Sequence, residues 1–600
     1  KMATREDIEA LIADKGNQIR ASKSNDSSKE EISALVSELL NLKSQFKEIT
    51  GEDYIGKGEQ SSKEKKKKSK GSNEIDIRKQ KKLERMEKKS ESANKNKSNK
   101  ILEEKSENVE CAFGNEPLLQ SAILGVPKNF TEICNLNEKM SESEKCVWIR
   151  ARLHTSRSVG KGVFLLLRQG MSTVQCTLFA SKDIPKEAVK YAIGISKESI
   201  VNVFGKVKKS PTPIESATLS QIEIEIQKIF VLSSAMQQLP LLVEDASRPI
   251  NESEINDENS EQNPENFKGP IVKASTSLDY RWIDLRTPAN QAIFRIQSAI
   301  CQYYREFLIG KKFVEIHSPK LLGGASEGGS NVFHLDYFGT PACLAQSPQL
   351  YKQMTAACGG FERVFEIGPV FRAENSNTHR HLCEFTGLDL EMTIKEHYYE
   401  VLELFSSLFI TIFDSLNQFM ENELSAVNQQ FPFEPLKYCR PSLRLSFYEG
   451  IQLLQDAGYD ANPEEDLNTE QEKALGKIVR DKYDTDFYMM DKYPLSCRPF
   501  YTMPCPHNPK LSNSFDIFIR GEEVLSGAQR IHDVDLLVER AKWWQIPLDT
   551  IASYLDAFKH GADAHGGGGI GLERVAMLFL GLKNIRKTSM FPRDPKRIAP

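Results

Sequence analysis

Residues 363–392 read RVFEIGPVFRAENSNTHRHLCEFTGLDLEM. An apolar, strand-forming run enters at Arg363, a polar stretch rich in Asn, Ser and His follows, and a second apolar run returns from Cys383. The pattern predicts two antiparallel strands joined by a solvated loop. The first strand delivers Arg372 and Glu374; the return limb carries His381, Phe385, Asp389 and Glu391. A fixed guanidinium suits a phosphate because its planar fork meets two oxygens at once. Phe385 offers a face on which a flat ring can stack.

Two more stretches belong with it. FRIQSAICQYYREFLIGKKFVEIHSPKLL (294–322) predicts a long amphipathic helix that breaks at Gly310, then a strand over 313–316 ended by Pro319. AHGGGGIGLERVAMLFLGL (564–582) runs from glycines into an apolar helix. A glycine run by itself is more often a flexible loop. Here it ends in Gly571 and Arg574 at a helix start, where backbone approaches a ligand closely and Arg574 covers an aromatic ring. The hairpin SFDIFIRGEEVLSGAQRIHD (514–533) adds Asp516 and Glu523, which on composition alone are surface carboxylates.

The three stretches, in this order, resemble motifs 1, 2 and 3 of the class II aminoacyl-tRNA synthetases. The resemblance implies ATP as a substrate, an aminoacyl-adenylate intermediate, and a homodimer through the motif 1 surface. It makes Arg372, Glu523 and Arg574 catalytic and assigns Arg372, Glu374, His381, Phe385, Glu523, Gly571 and Arg574 to ATP. Asp516 and Glu523 become ligands of Mg²⁺ that arrives with the nucleotide. Ser376 and Thr378, in the motif 2 loop, are expected to touch the acceptor end of tRNA.

Within this class, AQSPQLYKQ (345–353), SGAQRIHD (526–533) and GGASEGGSNVF (323–333) resemble the cytosolic, eukaryotic-type aspartyl-tRNA synthetases. The resemblance puts Lys352 and Arg530 on the β-carboxylate of L-aspartate, and Ser347, Gln349, Asp389 and Glu327 around the rest of that substrate. Asparagine is nearly isosteric, so charge must exclude it: a neutral amide leaves buried cations underpaired, at roughly 3–5 kcal/mol. An asparaginyl or non-discriminating enzyme and a catalytically silent RNA-binding paralogue are the competing readings. The closing SMFPRDPKRIAP also fits the eukaryotic family.

Upstream, five short alternating runs between Cys146 and Phe230, with one interposed helix at 183–193, predict an OB-fold barrel. Such a barrel binds single-stranded nucleic acid by stacking bases on aromatic rings. Resemblance to the anticodon-binding domain assigns Phe164 to base stacking, Gln175 to base reading and Arg157 to the anticodon loop of tRNA(Asp). At the N-terminus, Ile8, Leu11, Ile12 and Ile19 share one helix face, and Ile32, Leu35, Val36, Leu39, Leu42 and Phe46 another. GNQIRASK and SKEEISALVSELLNLKSQFKEITGEDY resemble a WHEP domain, a helical hairpin through which synthetase-complex partners could be reached. KEKKKKSK and RKQKKLERMEKK then form a basic arm, read as a solvated linker, an import signal or a tRNA-binding extension.

Composition agrees with a multidomain α+β chain. In 600 residues the net charge is only −4, with the basic arm set against an acidic stretch at 251–265. Eleven cysteines without a CxxC pair read as reduced thiols, since Cys497, Cys505 and His507 lack a fourth zinc ligand nearby. No apolar run reaches the ~18 residues of a membrane span. Glu6, Asp7 and Glu9 argue against a presequence, so a cytosolic location is expected. The expected organisation is a helical hairpin (2–56), a lysine-rich extension (57–108), an OB-fold domain (109–239), an acidic hinge (240–278) and an antiparallel-sheet catalytic domain (279–600).

Overall fold

Strict alternation of Val, Leu and Ile makes the barrel. In the computed structural model, which describes residues 112–121, 127–249, 270, 272–324 and 332–600 with nine positions between 11 and 46, the five expected runs are strands. They are β2 (Cys146–Val159), β3 (Gly162–Gln169), β4 (Ser172–Phe179), β5 (Ile200–Lys209) and β6 (Ile222–Ser233), with α1 (Lys186–Ile193) between β4 and β5. Pairing of β6 with both β4 and β5 closes the barrel. A short strand that the sequence did not announce, β1 (Phe113–Asn115), adds parallel to β6. Val163, Leu165 and Leu167 of β3 point inward with Val174, Cys176 and Leu178 of β4, all essentially inaccessible. Their neighbours Phe164 and Gln175 are therefore forced to the outer surface by the two-residue period.

The chain divides into units 1–110 and 111–600. In the first, the described residues Leu11, Ile12, Leu35, Leu39 and Phe46 are helical. Ile12 and Phe46 bury together against Leu39, and Lys15 pairs with Glu38 at 2.5 Å. The lysine-rich extension lies outside the described residues.

The catalytic part is built on an eight-stranded sheet. Its strands are β7 (Val314–Glu315), β8 (Arg363–Phe371), β9 (Glu384–Thr393), β10 (Leu443–Ser446), β11 (Phe487–Asp491), β12 (Ser514–Ile519), β13 (Glu522–Gln529) and β14 (His565–Gly571). They lie in the order β10-β11-β12-β13-β14-β9-β8-β7. The interior is antiparallel, as expected, but the outer pairs β7–β8 and β10–β11 are parallel. Leu388, Leu390, Phe515, Ile517 and Ile570 cover one face and pack on α2 (Pro288–Gly310), α4 (Tyr399–Phe419) and α5 (Leu572–Phe579). The other face is left for polar side chains. α2 starts where Thr287 caps Asn290 and a proline takes the first helical position.

The glycine run forms a central strand: β14 is hydrogen-bonded to β9 on one side and β13 on the other. The acidic hinge is shorter than 240–278, because both ends fold. Residues Val243–Ala246 and Ala274–Asp279 are helical, Leu241, Val243 and Ala246 bury against Ile283, and Gln430 donates to the Ala246 carbonyl at 2.6 Å. Apolar side chains at the ends of a polar segment found a surface to bury against. The barrel meets the catalytic part through Glu198, which accepts from Arg168 at 2.8 Å and from Arg286 at 2.9 Å. Burial would raise that carboxyl; hydrogen bonds from His154, Arg168 and Arg286 outweigh it and hold the group down at about 2.

Candidate active site

Strand register places the polar face. Across the sheet, Asp389 of β9 opposes Gly569 of β14, Gly569 opposes Ser526 of β13, and Ser526 opposes Asp516 of β12. Directly opposed residues share a face, so these four form one row. Two residues further along, Glu391 opposes Gly567, which opposes Ala528. Along β9 the same face carries Phe385, Gly387, Asp389 and Glu391. A cavity of about 400 Å³ opens over this face. Its wall includes Ser347, Gln349, Arg372, Glu374, His381, Phe385, Asp389, Glu523, Arg530, Gly571 and Arg574.

At one end of the cavity lie the cations. Lys352, in the short helix α3 (Gln349–Gln353), is fully buried, and its Nζ donates to Asp389 Oδ1 at 2.8 Å and the Gly568 carbonyl at 3.0 Å. It also lies 3.6 Å from Glu391 Oε2. Arg530, at the end of β13, donates from Nε to Glu391 Oε1 at 2.9 Å and from Nη2 to the Gly567 carbonyl at 2.9 Å. Glu391 thus ties together two cations that are 178 positions apart in the chain (530 − 352). Arg530 lines the cavity, whereas Lys352 is sealed beneath its wall. Gln349 Nε2 is buried there with no acceptor among the described residues.

The glycines of β14 explain themselves at this point. A Cβ on Gly569 would stand 2.8 Å from Asp389 Oδ1, and one on Gly567 would collide with the Glu391 carboxylate and the Leu390 carbonyl. Any side chain on those positions would expel the carboxylates that hold Lys352 and Arg530.

The other end of the cavity is arranged around arginines. The Arg372 guanidinium lies 5.6 Å from the Phe385 ring and 4.0 Å from Glu374, and its Nε is buried without an acceptor among the described residues. Arg574 bridges two segments, donating to the carbonyls of Glu523 at 2.9 Å and Arg380 at 3.2 Å. His381 Nδ1 lies 2.6 Å from the Thr378 hydroxyl and 3.3 Å from that of Ser376, and burial, then the neighbouring Arg574, lower its proton affinity. Burial and the charge of Asp516 push the Glu523 carboxyl up to about 7. Two neighbouring carboxyl groups close to the arginines of the cavity wall are a donor set that suits a hard divalent cation.

Sequence reasoning passed over several residues of the wall: Arg498, which holds Asp516; Arg380, paired with Glu472 at 2.5 Å; and Ser526 and Tyr501. Arg380 stands beside His381 in the motif and was legible as a cation of that loop. Arg498 lies in an irregular stretch without periodicity, and no local signal distinguishes it. Glu327 lies outside the described residues. On the barrel, Phe164 sits outward with the Arg157 guanidinium 5.5 Å from its ring, and Gln175 donates to Glu223 at 3.1 Å.

Comparison with known proteins agrees with this geometry. The family described as tRNA synthetases class II (D, K and N) matches residues 273–595, the WHEP-TRS domain matches 8–59, and the OB-fold nucleic acid binding domain matches 147–232. The chain is 52% identical over 474 residues to the cytoplasmic aspartate–tRNA ligase of Caenorhabditis elegans, covering 79% of this chain and 87% of that one. An aspartyl-tRNA synthetase structure from Entamoeba histolytica is 45% identical with a TM-score of 0.74, over 83% of this chain and 98% of that one. An asparaginyl-tRNA synthetase of Pyrococcus horikoshii, solved with asparaginyl-adenylate, has the same fold at 27% identity and a TM-score of 0.66, over 79% and 100%. With a relative named a cytoplasmic aspartate–tRNA ligase at 52% identity over most of its length, and an asparaginyl-tRNA synthetase at 27%, the chain belongs to the aspartate–tRNA ligase family of class II tRNA synthetases.

Proposed function

We propose that the chain activates L-aspartate with ATP and transfers it to the 3′-terminal adenosine of tRNA(Asp). The observation that carries this reading is the convergence of Lys352 and Arg530 on Glu391 at one end of the cavity, with Arg372 and Arg574 at the other. Arg530 receives the β-carboxylate of aspartate, and Lys352 adds positive charge from beneath while fixing Asp389. Asp389, Gln349 and Ser347 orient the ammonium end, with Glu327 completing the site.

In the first step an α-carboxylate oxygen of aspartate attacks the α-phosphorus of ATP and pyrophosphate leaves. Arg372 stabilises the charge that develops on the α-phosphate, where preorganised groups act most strongly. Phe385 and Arg574 hold the adenine between them, with Glu374, His381 and Gly571 lining the nucleotide. Glu523 and Asp516 would hold Mg²⁺, which neutralises phosphate oxygens. In the second step the 3′-hydroxyl of the terminal adenosine attacks the aspartyl carbonyl and AMP departs, its phosphate accepting the proton. Ser376 and Thr378 sit in the loop that meets the acceptor end, while Phe164, Gln175 and Arg157 take the anticodon.

The exposed apolar side chains Ile309, Val314, Leu321 and Phe361 around the motif 1 helix and edge strand β7 support a homodimer through that surface. The WHEP hairpin is a site for other synthetase-complex proteins. Relatives named cytoplasmic support a cytosolic location, and among the described residues no helix is long and apolar enough to cross a membrane. The test is pyrophosphate exchange into ATP with aspartate, asparagine and lysine in parallel. Exchange is expected with aspartate; comparable exchange with asparagine would establish the non-discriminating reading instead. Absence of exchange with all three would favour the silent paralogue.

A further inference from the structure

Glu523 lines the cavity and Asp516 is buried beside it, and the two are accompanied by a cation of the cavity wall, Arg498, that the reaction above does not use. Arg498 leaves the turn Leu495–Cys497 and is buried, with 6% of its surface accessible. Its Nη1 and Nη2 donate to Asp516 Oδ1 at 3.0 Å and Oδ2 at 2.6 Å. Nη1 also donates to Ser526 Oγ at 2.9 Å, and the guanidinium lies 3.9 Å from the centroid of the Tyr493 ring. The fork is therefore fixed on three sides, and both oxygens of Asp516 are committed to it. No hydrogen bond reaches the Glu523 carboxylate among the described residues.

We propose that Arg498 is a positioning residue that acts as the resident counter-ion of Asp516, so that the acid pair accepts a divalent cation only together with the nucleotide's phosphates. With both groups ionised, Asp516 and Glu523 alone would present two negative charges to a divalent ion. With the Arg498 guanidinium fastened to Asp516 they present a net single charge, and a fixed positive charge stands beside any ion that approaches. The triphosphate supplies the negative charge that overcomes this repulsion. Metal and nucleotide then enter as one species, and the nucleotide-free enzyme is protected from a cation that would compete with Arg372 and Arg574 for the phosphates. The proposal rests on the reading that Asp516 and Glu523 face the triphosphate.

Mn²⁺ binding to the full-length chain, read by electron paramagnetic resonance, tests it without reference to activity. The wild type should bind Mn²⁺ weakly alone and strongly with a non-hydrolysable ATP analogue. Arg498→Gln should bind Mn²⁺ without nucleotide at least about tenfold more tightly than the wild type, because a positive charge at contact distance is removed. Arg498→Lys, which keeps the charge without the fork, should stay close to the wild type, and Asp516→Asn added to Arg498→Gln should cancel the gain. Tight Mn²⁺ binding by the nucleotide-free wild type overturns the proposal, and needs no variant to fold. So does a folded Arg498→Gln with unchanged affinity, or an Arg498→Lys that binds as tightly as Arg498→Gln. If the wild type takes no Mn²⁺ even with the ATP analogue, the placement of the triphosphate is what fails.

Discussion

Replacing Arg530 by lysine should cripple aspartate recognition while leaving the nucleotide end untouched. In the fold, the guanidinium satisfies Glu391 Oε1 and the Gly567 carbonyl from different nitrogens, both at 2.9 Å. A lysine ammonium keeps the charge but, on one point, cannot hold both anchors and still face the ligand. At least one charge-assisted hydrogen bond is lost, at about 1.5–3 kcal/mol. That corresponds to a fall in kcat/KM for aspartate of roughly 10- to 150-fold. Arg530→Leu also removes the charge and leaves Glu391 with Lys352 alone, which raises the cost to roughly 3–5 kcal/mol, part of it as lost stability. The KM for ATP should hardly change. Phe385 and Glu391 are six residues apart on one extended strand, a separation of about 20 Å. Aspartate-dependent pyrophosphate exchange, measured across aspartate and ATP concentrations for both variants alongside their melting temperatures, checks this. An Arg530→Lys enzyme with wild-type kcat/KM for aspartate would refute the reasoning, as would an equal loss for ATP.

Other consequences can be checked separately. Gly569→Ala should raise the KM for aspartate and lower stability by about 1–3 kcal/mol, since its Cβ would press on Asp389 Oδ1; calorimetry and exchange assays read both. Glu472→Gln weakens the buried pair that holds Arg380 on the cavity wall, so the KM for ATP should rise several-fold with that for aspartate unchanged in steady-state exchange. Burial raises the Glu573 carboxyl to about 7 from an ordinary 4.5, so its contribution to stability is full below the unfolded value and lost as pH rises through 7. Glu573→Gln, which keeps an acceptor for the Thr386 N–H, should remove a slope of up to about 1.4 kcal/mol per pH unit between those values in urea titrations. Deleting residues 1–108 should weaken tRNA binding and flatten its salt dependence while sparing adenylate formation, as measured by filter binding at several salt concentrations.

Much of this protein is written locally. The strands of the barrel could be counted from the alternation of β3 and β4, because a period of two is imposed by the backbone itself. The strand–loop–strand at 363–392 and the helix ending at Gly310 were equally plain. What local pattern leaves open is the glycine run, since four glycines look alike in a loop and in a strand. The difference lies in the side chains opposite them, Asp389 and Glu391, which belong to another strand. The acidic hinge misled for a similar reason: Leu241, Val243 and Ala246 are too few to announce a helix until Ile283 is present to receive them.

The amino-acid sequence by itself determined the elements, the charges available and the family they resemble, because those follow from short-range periodicity and side-chain chemistry. Only the tertiary structure decided that Lys352 and Arg530 share Glu391, that Lys352 is sealed beneath the wall while Arg530 faces the cavity, and that Arg498 already occupies Asp516. Those facts depend on strand register and burial. Both are set by which distant segments pack together, and neither leaves a mark on the residues nearby.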